Sequence, residues 1–175
     1  LPFEEYIQKH KGLKTLLDAF EKACGKGLKS KLVIVGNKDN FRTGDEETVK
    51  RLETFSEDKV QFTGKISNEN LKELYESSLA LVQPSLYEGF GIPPLEAMVC
   101  GTPAIISDIP VFKEIYSGFP VVFFKTGDSQ ELCEKLLEIE KNPAKIELGE
   151  LKEKYSYKRS ATLITQKITS VIKTN

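Results

Sequence analysis

Two glutamates, Glu88 and Glu96, are separated by seven residues, which read Gly89-Phe90-Gly91-Ile92-Pro93-Pro94-Leu95. Glycines let backbone amides come close to a ligand. Proline is favoured at the first helical position, where its missing donor costs nothing. A helix opening at these prolines would offer free N–H groups and a positive dipole end to an anion, phosphate above all. Glu96 would then lie in the first helical turn, where the dipole alone stabilises a carboxylate. Glu88 has no such local reason, since it sits between an apolar run and a glycine turn. Gly89-Phe90-Gly91 by itself is equally well explained as a tight turn before a helix. It is not a dinucleotide fingerprint either, because it lacks a third glycine and follows a late strand rather than the first. The two carboxylates together make the segment a candidate ligand site.

Other chemistries are excluded by count. His10 is the only histidine, so a zinc site would need Cys24, Cys100 and Cys133 to converge on it from distant positions. No Gly-x-Ser-x-Gly motif offers it a nucleophile, and a solvated loop residue is the plainer reading of it. Three widely spaced cysteines argue for a reducing compartment rather than a disulfide framework. Lys and Arg number 25 against 26 Asp and Glu, a net charge of −1, which speaks against nucleic acid or an anionic membrane as partner. With 39% hydrophobic and 29% charged residues over 175 positions, the chain is a globular mixture of single-domain size. The apolar run 119–124 is far too short to span a membrane. The opening Leu-Pro-Phe-Glu-Glu lacks the features of a signal peptide and a starting Met, so a piece of a longer protein is expected.

The elements that would carry the two glutamates follow from periodicity. Leu13, Leu16, Leu17 and Phe20 mark a helix face, as do Val49, Leu52 and Phe55, then Leu71, Leu74 and Tyr75, and later Leu132, Leu136 and Ile139. Asn68 is the expected N-cap of the third of these, with Glu69 in its first turn. Short apolar runs at 32–35, 60–62, 79–82, 104–107 and 121–124 read as strands, and 94–100 as a short helix ended by Gly101. A helical turn is expected near 111–116. Short strands alternating with helices indicate a doubly wound, Rossmann-like parallel sheet, covered on both faces. Ligands bind such sheets beyond the carboxyl ends of the strands. There lie Asn37 to Asn40, Lys65-Ile66, the segment Gln83 to Glu88, and Asp108. Residues 1–155 form the expected domain. Residues 156–175 form a helix, with Ala161, Ile164, Ile168, Val171 and Ile172 as a stripe packing on it or toward an absent domain.

Pro84-Ser85-Leu86-Tyr87-Glu88-Gly89-Phe90-Gly91-Ile92-Pro93-Pro94-Leu95-Glu96-Ala97-Met98, followed by Gly101-Thr102-Pro103, resembles the signature of retaining GT-B glycosyltransferases of family 4. Lys11-Gly12-Leu13, Val33 to Gly36, Val60 to Gly64 and Leu71 to Tyr75 resemble further family segments in the same order. The resemblance covers about residues 6–140. It implies the C-terminal, nucleotide-sugar-binding half of a two-domain enzyme moving a hexose, with GDP-mannose favoured, to a sugar, lipid or polysaccharide acceptor. Glu88 would lie at the donor sugar and Lys11 at the diphosphate. Glu96 would bind the ribose, and Gly89, Phe90, Gly91, Ile92 and Leu95 would line the donor. Lys65 and Ile66 would border the base. The partner implied is an N-terminal acceptor-binding domain of the same protein, through which any contact with the inner face of the membrane would run from a cytoplasmic position. No cofactor or metal is implied, and no Asp-x-Asp motif occurs. One stretch departs from the family pattern: Tyr6-Ile7 runs directly into Gln8-Lys9-His10-Lys11-Gly12, without the usual glycine or arginine. Either that loop is shortened or residues are missing there, and the second is expected. The alternatives are a non-catalytic sugar-nucleotide-binding module and, against the glycine pattern, a dinucleotide-dependent oxidoreductase.

Overall fold

The computed structural model describes residues 11–36, 46–147 and 149. In chain order the elements are α1 (Leu13–Gly25), β1 (Leu32–Ile34), α2 (Glu46–Thr54), β2 (Val60–Phe62), α3 (Asn68–Ser77), β3 (Leu81–Gln83), α4 (Pro93–Val99), β4 (Ala104–Ser107), α5 (Pro110–Tyr116), β5 (Val122–Phe124) and α6 (Ser129–Lys141). All strand pairs are parallel, and each is joined by a helical crossover, as a parallel ladder requires. Among the described residues the strands form two ladders, β1-β2 and β3-β4-β5, rather than the single sheet expected. The expected tail helix at 156–175, His10, and the stretch before Lys11 lie outside the described residues.

Successive side chains of β3, β4 and β5 point to opposite faces, and both faces are buried. Ile105, Val82, Val122 and Phe124 face a core built with Leu17, Phe20 and Ala23 of α1 and Leu132 and Leu136 of α6, which also takes in Leu32, Val60 and Phe62 of the other ladder. Leu81, Ala104, Ile106 and Phe123 face a second core with Met98 of α4 and Phe112, Ile115 and Tyr116 of α5. Coverage of both faces is why these strands are nearly continuous apolar runs. The boundaries shift slightly from those expected. Strand β3 ends on the polar Gln83 rather than at Val82, and the helix after the glycine loop starts at Pro93. Ser67, not Asn68, caps α3, because Ser67 holds extended dihedrals and its side chain accepts the Asn70 N–H at 3.2 Å.

Long-range polar contacts tie the elements together. Arg51 of α2 reaches Asp18 at 2.5 Å and Glu21 at 2.6 Å on α1. Glu140 of α6 accepts the Ser30 N–H at 2.6 Å and its hydroxyl at 2.5 Å. At the carboxyl end of β4, Asp108 pairs with Lys113 at 2.8 Å and accepts the Thr126 N–H at 2.9 Å, clamping α5 and the loop after β5. The Lys113 hydrogen bond first, then those from Thr126, hold its carboxyl far below the usual carboxylate range. The depressed folded value means that Asp108 stabilises the fold above the ordinary aspartate pKa, and that this is lost as pH falls through the folded one. Urea unfolding across the acid range is therefore expected to show Asp108→Asn destabilised at neutral pH but converging on wild type at low pH. A constant difference across that range would contradict the clamp.

Candidate functional site

The glycine loop is held in place from three sides. Gly12, just before α1, has φ +67°, and a Cβ there would stand 1.8 Å from the Pro84 carbonyl oxygen. That close approach sets Lys11 beside the segment leaving β3. Ser85, fully buried, is fixed from β4, because the Ser107 hydroxyl donates to its carbonyl at 2.5 Å. Gly91, with φ +77°, presses on α5: a Cβ would lie 2.4 Å from the Phe112 ring, and the Tyr116 hydroxyl donates to the Gly91 carbonyl. Close approach at Gly91 thus serves packing against a helix. Gly89 differs, since nothing lies within 4 Å of a Cβ placed there.

These constraints bring Lys11 and Glu88 together across 77 positions. The Lys11 ammonium donates to Glu88 Oε1 at 2.6 Å, Ser85 Oγ donates to the same atom at 2.8 Å, and Gln83 Nε2 at 3.0 Å. The Glu88 side chain is only 12% exposed, while that of Lys11 is 52% exposed. Burial opposes the Glu88 charge, but the hydrogen bonds from Lys11, Ser85 and Gln83 outweigh it and hold its carboxyl below the ordinary glutamate value. Glu88 is therefore ionised at neutral pH. An ammonium has three donors, so Lys11 can bridge Glu88 and a second anion.

Glu96 lies in the first turn of α4, exposed, and its Oε2 accepts the Tyr75 hydroxyl at 3.1 Å. Tyr75 is anchored through its carbonyl, to which Thr102 Oγ1 donates at 2.5 Å. Burial, then the charge and hydrogen bond of Glu96, push the Tyr75 phenol well above its usual range, so it remains a donor. The start of α4 is not the set of free amides expected. Pro93 and Pro94 carry no N–H, and the amides of Leu95 and Glu96 both bond the Ile92 carbonyl, at 2.9 and 3.2 Å. The amides of Gly89, Gly91 and Ile92 make no hydrogen bond among the described residues, so an anion would be met before the helix. Leu95 packs against the second core. The apolar side chains of Leu86, Tyr87, Phe90 and Ile92 are exposed around Glu88.

Lys65 is exposed and Ile66 half-buried, just past the end of β2. Their loop is joined to that after β1 by the Gly64 N–H bonding the Gly36 carbonyl at 3.0 Å. Sequence reasoning placed Gln83 and Ser85 in a ligand-facing loop without giving them a role, and read Tyr75 only as part of a helix face. The available signal was chemical: a buried phenol or amide needs a partner. Among the described residues no three His, Cys, Asp or Glu side chains are grouped so as to hold a metal ion. No helix among them is long and apolar enough to cross a membrane.

In sequence and in fold the chain is similar to known glycosyltransferases and related enzymes. O-antigen chain mannosyltransferase RfbU of Salmonella typhimurium is 48% identical over 84 residues, 48% of this chain and 23% of that protein. An uncharacterized glycosyltransferase of Methanocaldococcus jannaschii is 39% identical over 105 residues, 60% of this chain and 26% of that protein. The chain therefore matches about a quarter of the length of these relatives. Sucrose-phosphate synthase of Thermosynechococcus elongatus superposes with a TM-score of 0.72 at 26% identity, covering 95% of this chain and 44% of that one. Anabaena HepE superposes with a TM-score of 0.67 at 21% identity, covering 95% and 46%, a likeness of fold. The parallel α/β fold is thus one shared with GT-B glycosyltransferases. The model of glycosyl transferases group 1 matches residues 3–160, nearly the whole chain, and the chain belongs to that family.

Proposed function

We propose that this chain is the nucleotide-sugar-binding part of a retaining glycosyltransferase that moves a hexose to a sugar, lipid or polysaccharide acceptor. The observation that carries the reading is the Lys11–Glu88 pair beyond β3, an ionised carboxylate and a half-exposed ammonium side by side. Glycosyl transfer builds positive charge at the anomeric carbon and negative charge on the leaving diphosphate. Glu88 would lie at the first and Lys11 at the second, with the amides of Gly89, Gly91 and Ile92 as further donors to the phosphates or sugar hydroxyls. Fixed charges of this kind stabilise the transition state without reorganising. Glu96, steadied by Tyr75, would accept from the ribose hydroxyls, and Lys65 and Ile66 would border the base. Mannosyltransferases among the relatives support a mannosyl donor, and GDP-mannose is the donor to test first.

The partner would be an N-terminal acceptor-binding domain, in keeping with relatives much longer than this chain. Calorimetric titration with GDP, UDP and their sugar conjugates tests the reading. Binding is expected for one nucleotide class, weakly, because half of the walls that would exclude water are supplied elsewhere. No binding of any nucleotide, or turnover by the chain alone equal to that of a two-domain protein containing it, would refute this reading.

Lys11 and the loop amides supply the positive charge that a diphosphate needs, and the sequence has no Asp-x-Asp. Added EDTA is therefore expected to leave nucleotide affinity unchanged. A strict need for added Mg²⁺ or Mn²⁺ would show that the diphosphate is held differently.

A further inference from the structure

Gln83 contains a contradiction of the kind that marks a functional residue. It is only 9% exposed, and its Oε1 is buried without a hydrogen-bond partner among the described residues. Buried amide oxygens are rarely left unpaired, because the lost water is not replaced. Turning the amide over would set Oε1 against the Glu88 carboxylate, so the carboxylate fixes its orientation. The one hydrogen bond of the Gln83 side chain among the described residues runs from Nε2 to Glu88 Oε1 at 3.0 Å. An apolar side chain of similar length would remove the orphaned oxygen, at the cost of one donor to Glu88.

Ser85 points the same way. It is fully buried, its carbonyl is held by Ser107, and its hydroxyl donates to Glu88 Oε1 at 2.8 Å. With Lys11 at 2.6 Å, three donors converge on one oxygen. No hydrogen bond reaches Glu88 Oε2 among the described residues. A carboxylate that can rotate offers either oxygen to a ligand; one gripped through Oε1 offers a single acceptor in a fixed place.

We infer that Gln83 and Ser85 are positioning residues for Glu88: with Lys11 they engage one carboxylate oxygen and leave Oε2 as the acceptor for a hydroxyl of the transferred sugar. The inference rests on the donor-binding reading above for its sugar half, and on geometry alone for its positioning half. Hydrogen bonds to the charged form also keep Glu88 ionised, against the burial that opposes it.

Three measurements on Gln83→Met and Ser85→Ala test it. The first follows the Glu88 carboxyl carbon by NMR through an acid titration of the ligand-free chain. Both variants are expected to titrate at higher pH than wild type. The second is the unfolding midpoint, which for Gln83→Met sets the removal of the orphaned oxygen against the loss of one donor to Glu88. The third compares GDP with GDP-mannose by calorimetry. Affinity for GDP should be unchanged, while the added affinity due to the sugar should fall about tenfold, the scale of one charge-assisted hydrogen bond. An unmoved Glu88 titration in both variants, or a Gln83→Met midpoint that falls while that titration stays put, would overturn the positioning role. Wild type binding neither ligand would instead overturn the donor reading, and with it the sugar half of this inference.

Discussion

Glu96→Ala is expected to weaken binding of both the nucleoside diphosphate and its sugar conjugate by about 30- to 1000-fold. The loss would correspond to the two charge-assisted hydrogen bonds proposed to the ribose, roughly 2–4 kcal/mol together. Glu96 is exposed in the first turn of α4, with Oε2 already steadied by Tyr75, so its carboxylate is presented rather than buried. Glu88→Gln should behave differently. Its side chain is nearly enclosed by Lys11, Ser85 and Gln83, and it would meet the sugar rather than the nucleotide. Affinity for the nucleoside diphosphate should therefore change by about 1 kcal/mol or less. In a two-domain protein, kcat should fall far more than KM rises, because on the proposed reading the interaction of Glu88 would strengthen as charge develops at the anomeric carbon. Titration of each variant with the nucleoside diphosphate, set beside its unfolding midpoint, decides the matter. If Glu88→Gln abolishes that binding while Glu96→Ala spares it, the roles are reversed. If affinity and midpoint fall in parallel in both variants, both glutamates act through stability alone.

The second large effect is expected at Gly12. A methyl group there would stand 1.8 Å from the Pro84 carbonyl oxygen and would sit on a residue with φ +67°. A left-handed residue with a Cβ costs about 1–2 kcal/mol, and forcing atoms into a packed contact adds about 1–3 kcal/mol. For a domain of this size, Gly12→Ala should lower Tm by about 5–15 °C. It should also move Lys11 away from Glu88, since Gly12 against Pro84 is what sets the ammonium beside the carboxylate. The Glu88 carboxyl should then titrate at higher pH. Gly89→Ala is the matching control: open space surrounds its Cβ position and its φ is ordinary, so stability should change by about 0.5 kcal/mol or less. Loss of nucleotide-sugar binding in Gly89→Ala at unchanged Tm would mean that a ligand, not the protein, needs that position bare. Equal Tm for Gly12→Ala and wild type would show that the Pro84 contact is not what holds Lys11.

Local rules carried much of this protein into view from its residues alone. The apolar periods of α1, α3 and α6, and the short runs of β1, β2 and β4, are properties of neighbouring residues. So is Gly101 ending the helix that carries Glu96. Glu88 and Glu96 were legible because their spacing and the glycines between them lie within one continuous segment. The tertiary structure decided what depends on residues far apart. Lys11 and Glu88 are 77 positions apart, and no periodicity links them; the packing of Gly12 on Pro84 does. Gly89 and Gly91 look equivalent in sequence, yet only Gly91 is pressed against a helix, because Phe112 reaches it from α5. Prolines at the start of α4 suggested an anion site at the helix end, but they remove two donors there, and the Ile92 carbonyl takes the next two. Gln83 read as the first residue of the loop after a strand, until the fold placed it at the end of β3 with its amide on Glu88. A strand's hydrogen bonds and a helix's cap are set by nearby chain. Which donors surround a buried carboxylate is set by how separate elements pack, because its charge is stabilised by whatever the fold brings within hydrogen-bond reach.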